Sequence, residues 1–402
     1  MLQLNSLALA LALTRAGIII SRFFLFFYIA KRLSVEEFGQ YNLYIVFLSI
    51  GVFVIGFDVY NFFNKEVARV FASGIEKVKY LLRTQFSLYY FVYIILLIIT
   101  FYYIGTLEFF IIFILISEHF VQEVSRVLNF VDEQLMSALL IFARSVFYPL
   151  LLLIFSFYSG DVSLSLLIYL WTASNGLVLL FSIVFFVKKF GITILIPRIR
   201  GINRYKKNIF YGCLVFFPGS IGFKVVEFQD RILASNFLSD FDLGIISFFS
   251  SLASIIPTLY LTIFIPLRLP NLINNKLNFH SFLKESLFFL VIFFVLILVL
   301  VNFLVIYLYT DYEHFLILGF CLIATQFIIS LSLVFHYIIY ALSDCRYISL
   351  PPFLVLLFTF VMSFYMESGA DIFEIVVVFT SSSFLLLASR FFIFKYCVSK
   401  DC

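Results

Sequence analysis

Apolar residues in this chain fall in long unbroken runs instead of the alternations or short stripes of a soluble fold. Polar breaks mark twelve of them: 7–30, 41–62, 84–104, 107–129, 136–158, 162–187, 209–234, 242–267, 286–309, 314–341, 349–367 and 372–396. They are 19 to 28 residues long, and a helix needs roughly 20 to cross the hydrocarbon of a bilayer. Strands with open edges would leave backbone groups unpaired in lipid, so every run predicts a helix. The expected fold class is an all-α polytopic membrane protein with about twelve transmembrane helices.

Composition sharpens the picture by exclusion. Of 402 residues, 63% are hydrophobic and 12% charged, whereas soluble domains carry about 25% charge. No soluble domain of any size fits. The longest interruption, roughly 188–208, is basic, and none is long enough to house a catalytic domain. There is no Walker A sequence, no GxSxG and no HExxH, so an enzyme is not expected and no cofactor is called for. The 58 Phe and 24 Tyr read as a compositional habit, not an aromatic recognition site. Five cysteines, Cys213, Cys321, Cys345, Cys397 and Cys402, lack metal spacing, and neither zinc nor a structural disulfide is expected. Arg15 and Arg22 sit inside the first apolar run instead of before it, so that run reads as a retained helix and not a cleaved leader.

Loop charge sets the expected sidedness. Lys65, Arg69, Lys77, Lys79 and Arg83 follow the second run. Lys188, Lys189, Arg198, Arg200, Arg204, Lys206 and Lys207 follow the sixth, and Arg268, Lys276 and Lys284 the eighth. The opposite loops hold Lys31 and Arg32 but mainly acids, among them Glu108, Asp161, Asp240, Asp242, Asp311, Glu313, Glu367 and Asp371. The positive-inside rule places the basic loops and both termini in the cytoplasm. Alternation explains these cations better than nucleic-acid binding would, and no nucleic-acid partner is expected.

A short pattern recurs near mid-chain. Leu33-Ser34 precedes Gly39, and Leu238-Ser239 precedes Gly244, at about half the chain length from the first copy. Six helices separate the copies. That even number predicts two parallel six-helix lobes, an N-terminal one over 1–190 and a C-terminal one over 209–402, joined by a basic cytoplasmic linker at 191–208. A cleft between such lobes suits a transporter.

Ionisable residues at membrane depth are the candidate functional groups, because each is costly there without a partner or a cavity. The first run carries Arg15 and Arg22, seven apart and so on one face; the seventh carries Lys224 and Arg231, also seven apart. Glu227 can pair with either of the latter two, with Asp230 beside it. The fourth run has His119, Glu123 and Arg126 on one face, with Glu118 adjacent. Asp58, Arg144 and Arg390 stand singly, and Arg390 lies near enough to the end of its run for its head to reach the interface. His119 and His336 read as buried, hydrogen-bonded histidines. Unpaired arginines facing a cavity would attract phosphate, which guanidinium binds bidentately. The expected substrate-binding residues are therefore Arg15, Arg22, Lys224 and Arg231, and the expected ion-coupling residues Asp58, Glu123, Glu227 and Asp230; no metal ligands are expected.

The stretch Phe26-Phe27-Tyr28-Ile29-Ala30-Lys31-Arg32-Leu33-Ser34, followed by Glu36-Glu37-Phe38-Gly39-Gln40-Tyr41-Asn42, resembles the opening of Wzx-type O-antigen flippases. These form the polysaccharide-transporter branch of the MATE-like exporter superfamily. Gly56-Phe57-Asp58 with Arg69, and Asp230-Arg231-Ile232-Leu233 with Leu238, Leu243-Gly244-Ile245, Pro257 and Pro266-Leu267, are similar to the same family. Ile246-Ser247 stands where Tyr-Ser is common there. The resemblance runs from the N-terminus through Arg69 and again over 209–270. It implies a MATE-like fold and a multi-pass protein of the bacterial inner membrane. The implied activity is flipping of an undecaprenyl-diphosphate-linked oligosaccharide, an O-antigen or capsule repeat unit for lipopolysaccharide or polysaccharide biosynthesis, from the cytoplasmic to the periplasmic leaflet. Implied partners are that lipid-linked substrate, the bilayer, and a polysaccharide polymerase with its chain-length proteins. By motif position, the resemblance reaches Asp58, Asp230 and Arg231. A MATE-like drug or ion antiporter is the alternative, and a membrane-embedded polysaccharide polymerase a more distant one.

Overall fold

A computed structural model describes residues 2–71, 74–103, 106–160, 162–273, 278–341, 349–366 and 370–401. Asp161, Lys276, Cys345, Glu367 and Cys402 lie outside the described residues. Those described are almost entirely helical: α1 (Leu2–Arg32), α2 (Val35–Gly56), α3 (Val59–Phe71), α4 (Ile75–Tyr103), α5 (Thr106–Phe130), α6 (Gln134–Ser159), α7 (Leu164–Phe190), α8 (Ile199–Phe237), α9 (Asp240–Ala253), α10 (Ile255–Leu259), α11 (Ile265–Ile273), α12 (Phe279–Tyr307), α13 (Leu316–Ala341), α14 (Leu350–Tyr365) and α15 (Ile372–Asp401). Among the described residues, nine helical stretches are long and apolar enough to cross a membrane, and α14 is a shorter apolar helix. The protein is a multi-pass membrane protein. Two further expected spans, 107–129 and 209–234, fall on α5 and α8.

Two of the expected spans depart from regular α-helix where the sequence reads as uniform, one by a break and one by a change of helical register. The run 41–62 ends as α2 at Gly56, because Phe57 (φ 44°) and Asp58 (φ 54°) adopt left-handed backbone. The chain then restarts as the amphipathic α3. In the run 242–267, α9 and α10 lead into a π-helical turn at Tyr260–Phe264 before α11. Pro257 and Pro266 supply no N–H to an α-helical ladder there. The two departures match in position: shifted by the offset between Gly39 and Gly244, the start of α3 at Val59 falls on Phe264, and α11 begins at Ile265. Of residues 191–208, only the first eight lie outside long helix, including a 3-10 turn at Ile192–Leu195, and the rest open α8. At 39 residues α8 is roughly 58 Å long, well beyond one bilayer, so its basic first turns lie outside the hydrocarbon.

The chain divides into two compact units, residues 1–33 with 47–217, and 34–46 with 218–402. In the first unit α5, α6 and α7 pack on one another, α1 lies on α6, and α3 folds onto α4. The beginning of α8 is fixed here. A Cβ on Gly201 would overlap Thr84 Oγ1, so only glycine permits the close approach. Tyr205 packs against Phe62 and Tyr80 at centroid distances of 5.6 and 6.5 Å.

In the second unit α13 packs on α9, α12 and α15, with α14 against α15. The two copies of the sequence repeat meet inside this unit. Ser34 caps α2 by accepting from Glu37 N at 3.2 Å, and Ser239 caps α9 by accepting from Asp242 N at 3.2 Å. Leu33 N donates to Ile29 O and Leu238 N to Ala234 O, at 3.0 and 2.9 Å. Each bond thus has its counterpart at the equivalent position of the other copy. The repeated glycines then touch: a Cβ on Gly39 would lie 2.7 Å from Gly244 N, and one on Gly244 would overlap Val35 O. The repeat is therefore structural, and its glycine exists because two helix starts cross backbone to backbone.

Candidate functional site

The first unit buries a polar cluster around Glu123. The left-handed turn after α2 turns Asp58 inward, where it is 3% exposed and acts electrostatically on Tyr60 at the start of α3. The Tyr60 ring lies under the Arg126 guanidinium at 3.8 Å. One helical turn back on α5, Glu123 is fully buried and forms an ion pair with Arg126. Its second carboxylate oxygen accepts from Gln85 Nε2 and Tyr89 Oη of α4, both at 2.9 Å. His119 completes the face, hydrogen-bonded to Tyr93 through Nδ1 and stacked edge-on with Tyr89 at 4.6 Å. Gly56 makes room for it, since a Cβ there would lie 3.1 Å from His119 Nε2. Asp58 and Glu123 thus both act on Tyr60, which lies against Arg126. A carboxylate so deep is tolerated because a cation and two neutral donors surround it.

Gln85 and Tyr89 carry no charge and sit on another helix, so the sequence pattern offered no reason to join them to Glu123. The only signal is their spacing of four, which puts an amide and a phenol on one face of an otherwise apolar run.

The charged residues of α8 are dispersed among different partners. Lys224 and Glu227 form an ion pair at 2.7 Å, each partly exposed. Asp230 is buried and accepts from Ser250 of α9. Arg231, 5% exposed, donates from Nη2 to Ser251 at 3.2 Å, and Ser251 in turn donates to Asn42 Oδ1 at 3.3 Å. Gln40 Nε2 donates to Asp240 at 3.1 Å beside this chain of bonds. The Asp230-Arg231 motif and the Gln40–Asn42 segment, far apart in sequence, are thus joined within the second unit.

Arg390 is 1% exposed and does not snorkel. It donates to Ser332 Oγ at 2.9 Å and faces the Phe223 ring at 5.4 Å. The expectation of an interfacial head is corrected by burial in the α13–α15 seam.

Arg15 and Arg22 differ from all of these. Both keep exposed surface on α1, and neither belongs to a salt bridge among the described residues. The two cation pairs of α1 and α8 are not equivalent by the repeat: at the positions that correspond to Arg15 and Arg22 stand Ser220 and Glu227. No group of His, Cys, Asp or Glu suited to a metal occurs among the described residues.

No protein-family model and no curated protein matches this sequence. Solved structures do match in fold. An outward-facing multidrug resistance MATE family transporter of the MOP superfamily aligns with a TM-score of 0.60 at 12% identity, over 97% of this chain and 96% of that one. A MATE protein in complex with MaL6 aligns with a TM-score of 0.56 at 13% identity, again over 97% and 96%. The chain has the MATE fold along nearly its whole length.

Proposed function

We propose that this protein is a transporter of the bacterial inner membrane that flips a lipid-linked oligosaccharide, its anionic diphosphate included, from the cytoplasmic to the periplasmic leaflet. The observation that carries this reading is the first helix: Arg15 and Arg22 share one face, keep exposed surface and make no salt bridge among the described residues. Cations held at membrane depth without an ion pair favour an anionic cargo. A flippase has to lodge a polar, anionic head while the lipid tail stays in the bilayer, and such a face suits that task. The resemblance of the N-terminal segment through Arg69 to polysaccharide flippases, and the MATE fold, support the same reading.

In this scheme the cluster of Glu123 and Asp58 in the first unit is the candidate for ion exchange, with Glu227 and Asp230 as candidates in the second. Arg231 and Lys224 would serve cargo binding only after exchanging their present partners. Both termini would face the cytoplasm, following the loop charges, and a polymerase with its chain-length proteins would take the product.

The fold also supports a second reading, a MATE-like drug or ion antiporter, since one structural neighbour is a multidrug resistance transporter. Replacing both Arg15 and Arg22 with Ala separates the two. The flippase reading expects lipid-linked units trapped on the inner leaflet and loss of surface polysaccharide at unchanged protein level. Intact polysaccharide combined with drug sensitivity in a deletion strain would favour the antiporter.

A further inference from the structure

The crossing of α1 with α6 carries a third arginine, Arg144, to the candidate cargo face. The approach is close: a Cβ on Gly17 would lie 2.5 Å from the Phe142 ring, and Ser21 Oγ donates to Ser145 O at 2.6 Å. Arg22 follows Ser21 and Arg144 precedes Ser145, so the two guanidinium groups flank a single helix–helix contact. Their charges act on each other, and Glu118 of α5 lies within the same electrostatic neighbourhood. Depth is consistent for all three. Arg22 and Arg144 each stand ten residues, about 15 Å of helix, from the nearer end of α1 and α6, and Glu118 is twelve residues from either end of α5.

None of the three forms a salt bridge among the described residues. Arg22 is exposed, and Arg144 and Glu118 are half-buried. Two cations and one carboxylate leave a net positive charge in the middle of a membrane protein. Two like charges that act on each other at membrane depth repel and are not held together by their own interaction. A polyvalent anion would relieve that repulsion.

We propose that Arg22 and Arg144 form a mid-membrane clamp for the diphosphate of the cargo, with Glu118 offsetting part of their charge so that the anion is held weakly enough to be released. This rests on the flippase reading and adds Arg144 and Glu118 to it. Two planar guanidinium forks can grip adjacent phosphates bidentately, which ammonium groups cannot do. Glu118 lowers affinity by repulsion, which keeps the site from becoming a trap.

Binding of tritiated farnesyl diphosphate to the full-length protein in phosphatidylcholine nanodiscs tests the clamp, with inorganic pyrophosphate as competitor. Wild-type protein binds saturably. Arg22→Gln and Arg144→Gln each weaken binding at least about tenfold, while Arg69→Gln, on the surface, leaves it unchanged. Glu118→Gln tightens binding, a gain that a merely structural role would not produce. Arg144→Lys keeps the charge and loses the fork, so it binds less tightly than wild type; with Glu118→Gln it decides the matter even if Arg144→Gln fails to fold. Wild-type binding with no loss in the Arg144 variants, or with no gain in Glu118→Gln, overturns the clamp and leaves the flippase reading standing on Arg15 and Arg22. Absence of wild-type binding overturns both.

Discussion

At the scale of single residues, the membrane makes each polar group's partner decisive. Glu123 is fully buried and accepts from Arg126, Gln85 and Tyr89. Removing one member of a buried ion pair costs about 3–5 kcal/mol, because the other charge stays behind without compensation. Glu123→Ala is therefore expected to lower the thermal unfolding temperature of the purified protein sharply. Glu123→Gln keeps the shape and one acceptor and should lose clearly less. No loss in either variant in a thermal melt would show that Arg126 has another counter-charge. The sequence exposed only half of this cluster. His119, Glu123 and Arg126 lie on one face by spacing alone, yet Gln85 and Tyr89 come from a different helix and Asp58 from a turn. Nothing local marks Phe57 and Asp58 as left-handed; an apolar run with a single acid gives no sign that its backbone reverses there.

Helices and their crossings follow a different logic, in which glycine is informative. A Cβ on Gly244 would overlap Val35 O, and that atom is backbone, which cannot swing aside. Gly244→Ala is expected to destabilise the protein or block its assembly, visible as loss of the monodisperse peak in size-exclusion chromatography. Gly176, inside α7, has its nearest neighbour 3.9 Å from where a Cβ would sit. There Gly→Ala should stabilise by about 0.5–1 kcal/mol through backbone entropy alone. A reversed order would refute the crossing geometry. The repeat that contains Gly39 and Gly244 was legible because helix caps and a glycine leave a fixed sequence signature. That the two glycines touch was not, since a repeat states equivalence and says nothing of contact. Similarly, the eighth expected span looked continuous because a π-turn preserves hydrophobicity while changing the hydrogen-bond register.

For the whole molecule, composition and run length sufficed to predict a polytopic all-helical protein, and the MATE fold agrees. Lipid permits little else once backbone groups must be satisfied internally. What the cargo is depends on finer features, the accessible cations of α1 and their surroundings, and these differ little in composition from ion pairs that merely hold helices together. The central claim is that this fold moves a diphosphate-linked sugar head across the bilayer. The most direct measurement is transport in proteoliposomes: purified protein is reconstituted with a fluorescent undecaprenyl-diphosphate oligosaccharide, and the fraction of head groups accessible to an added lectin is followed over time. The account predicts protein-dependent movement between leaflets that is lost in the Arg15→Ala, Arg22→Ala double variant and kept in Arg69→Gln. Movement no faster than in protein-free liposomes, or the same rate in the double variant, would contradict it.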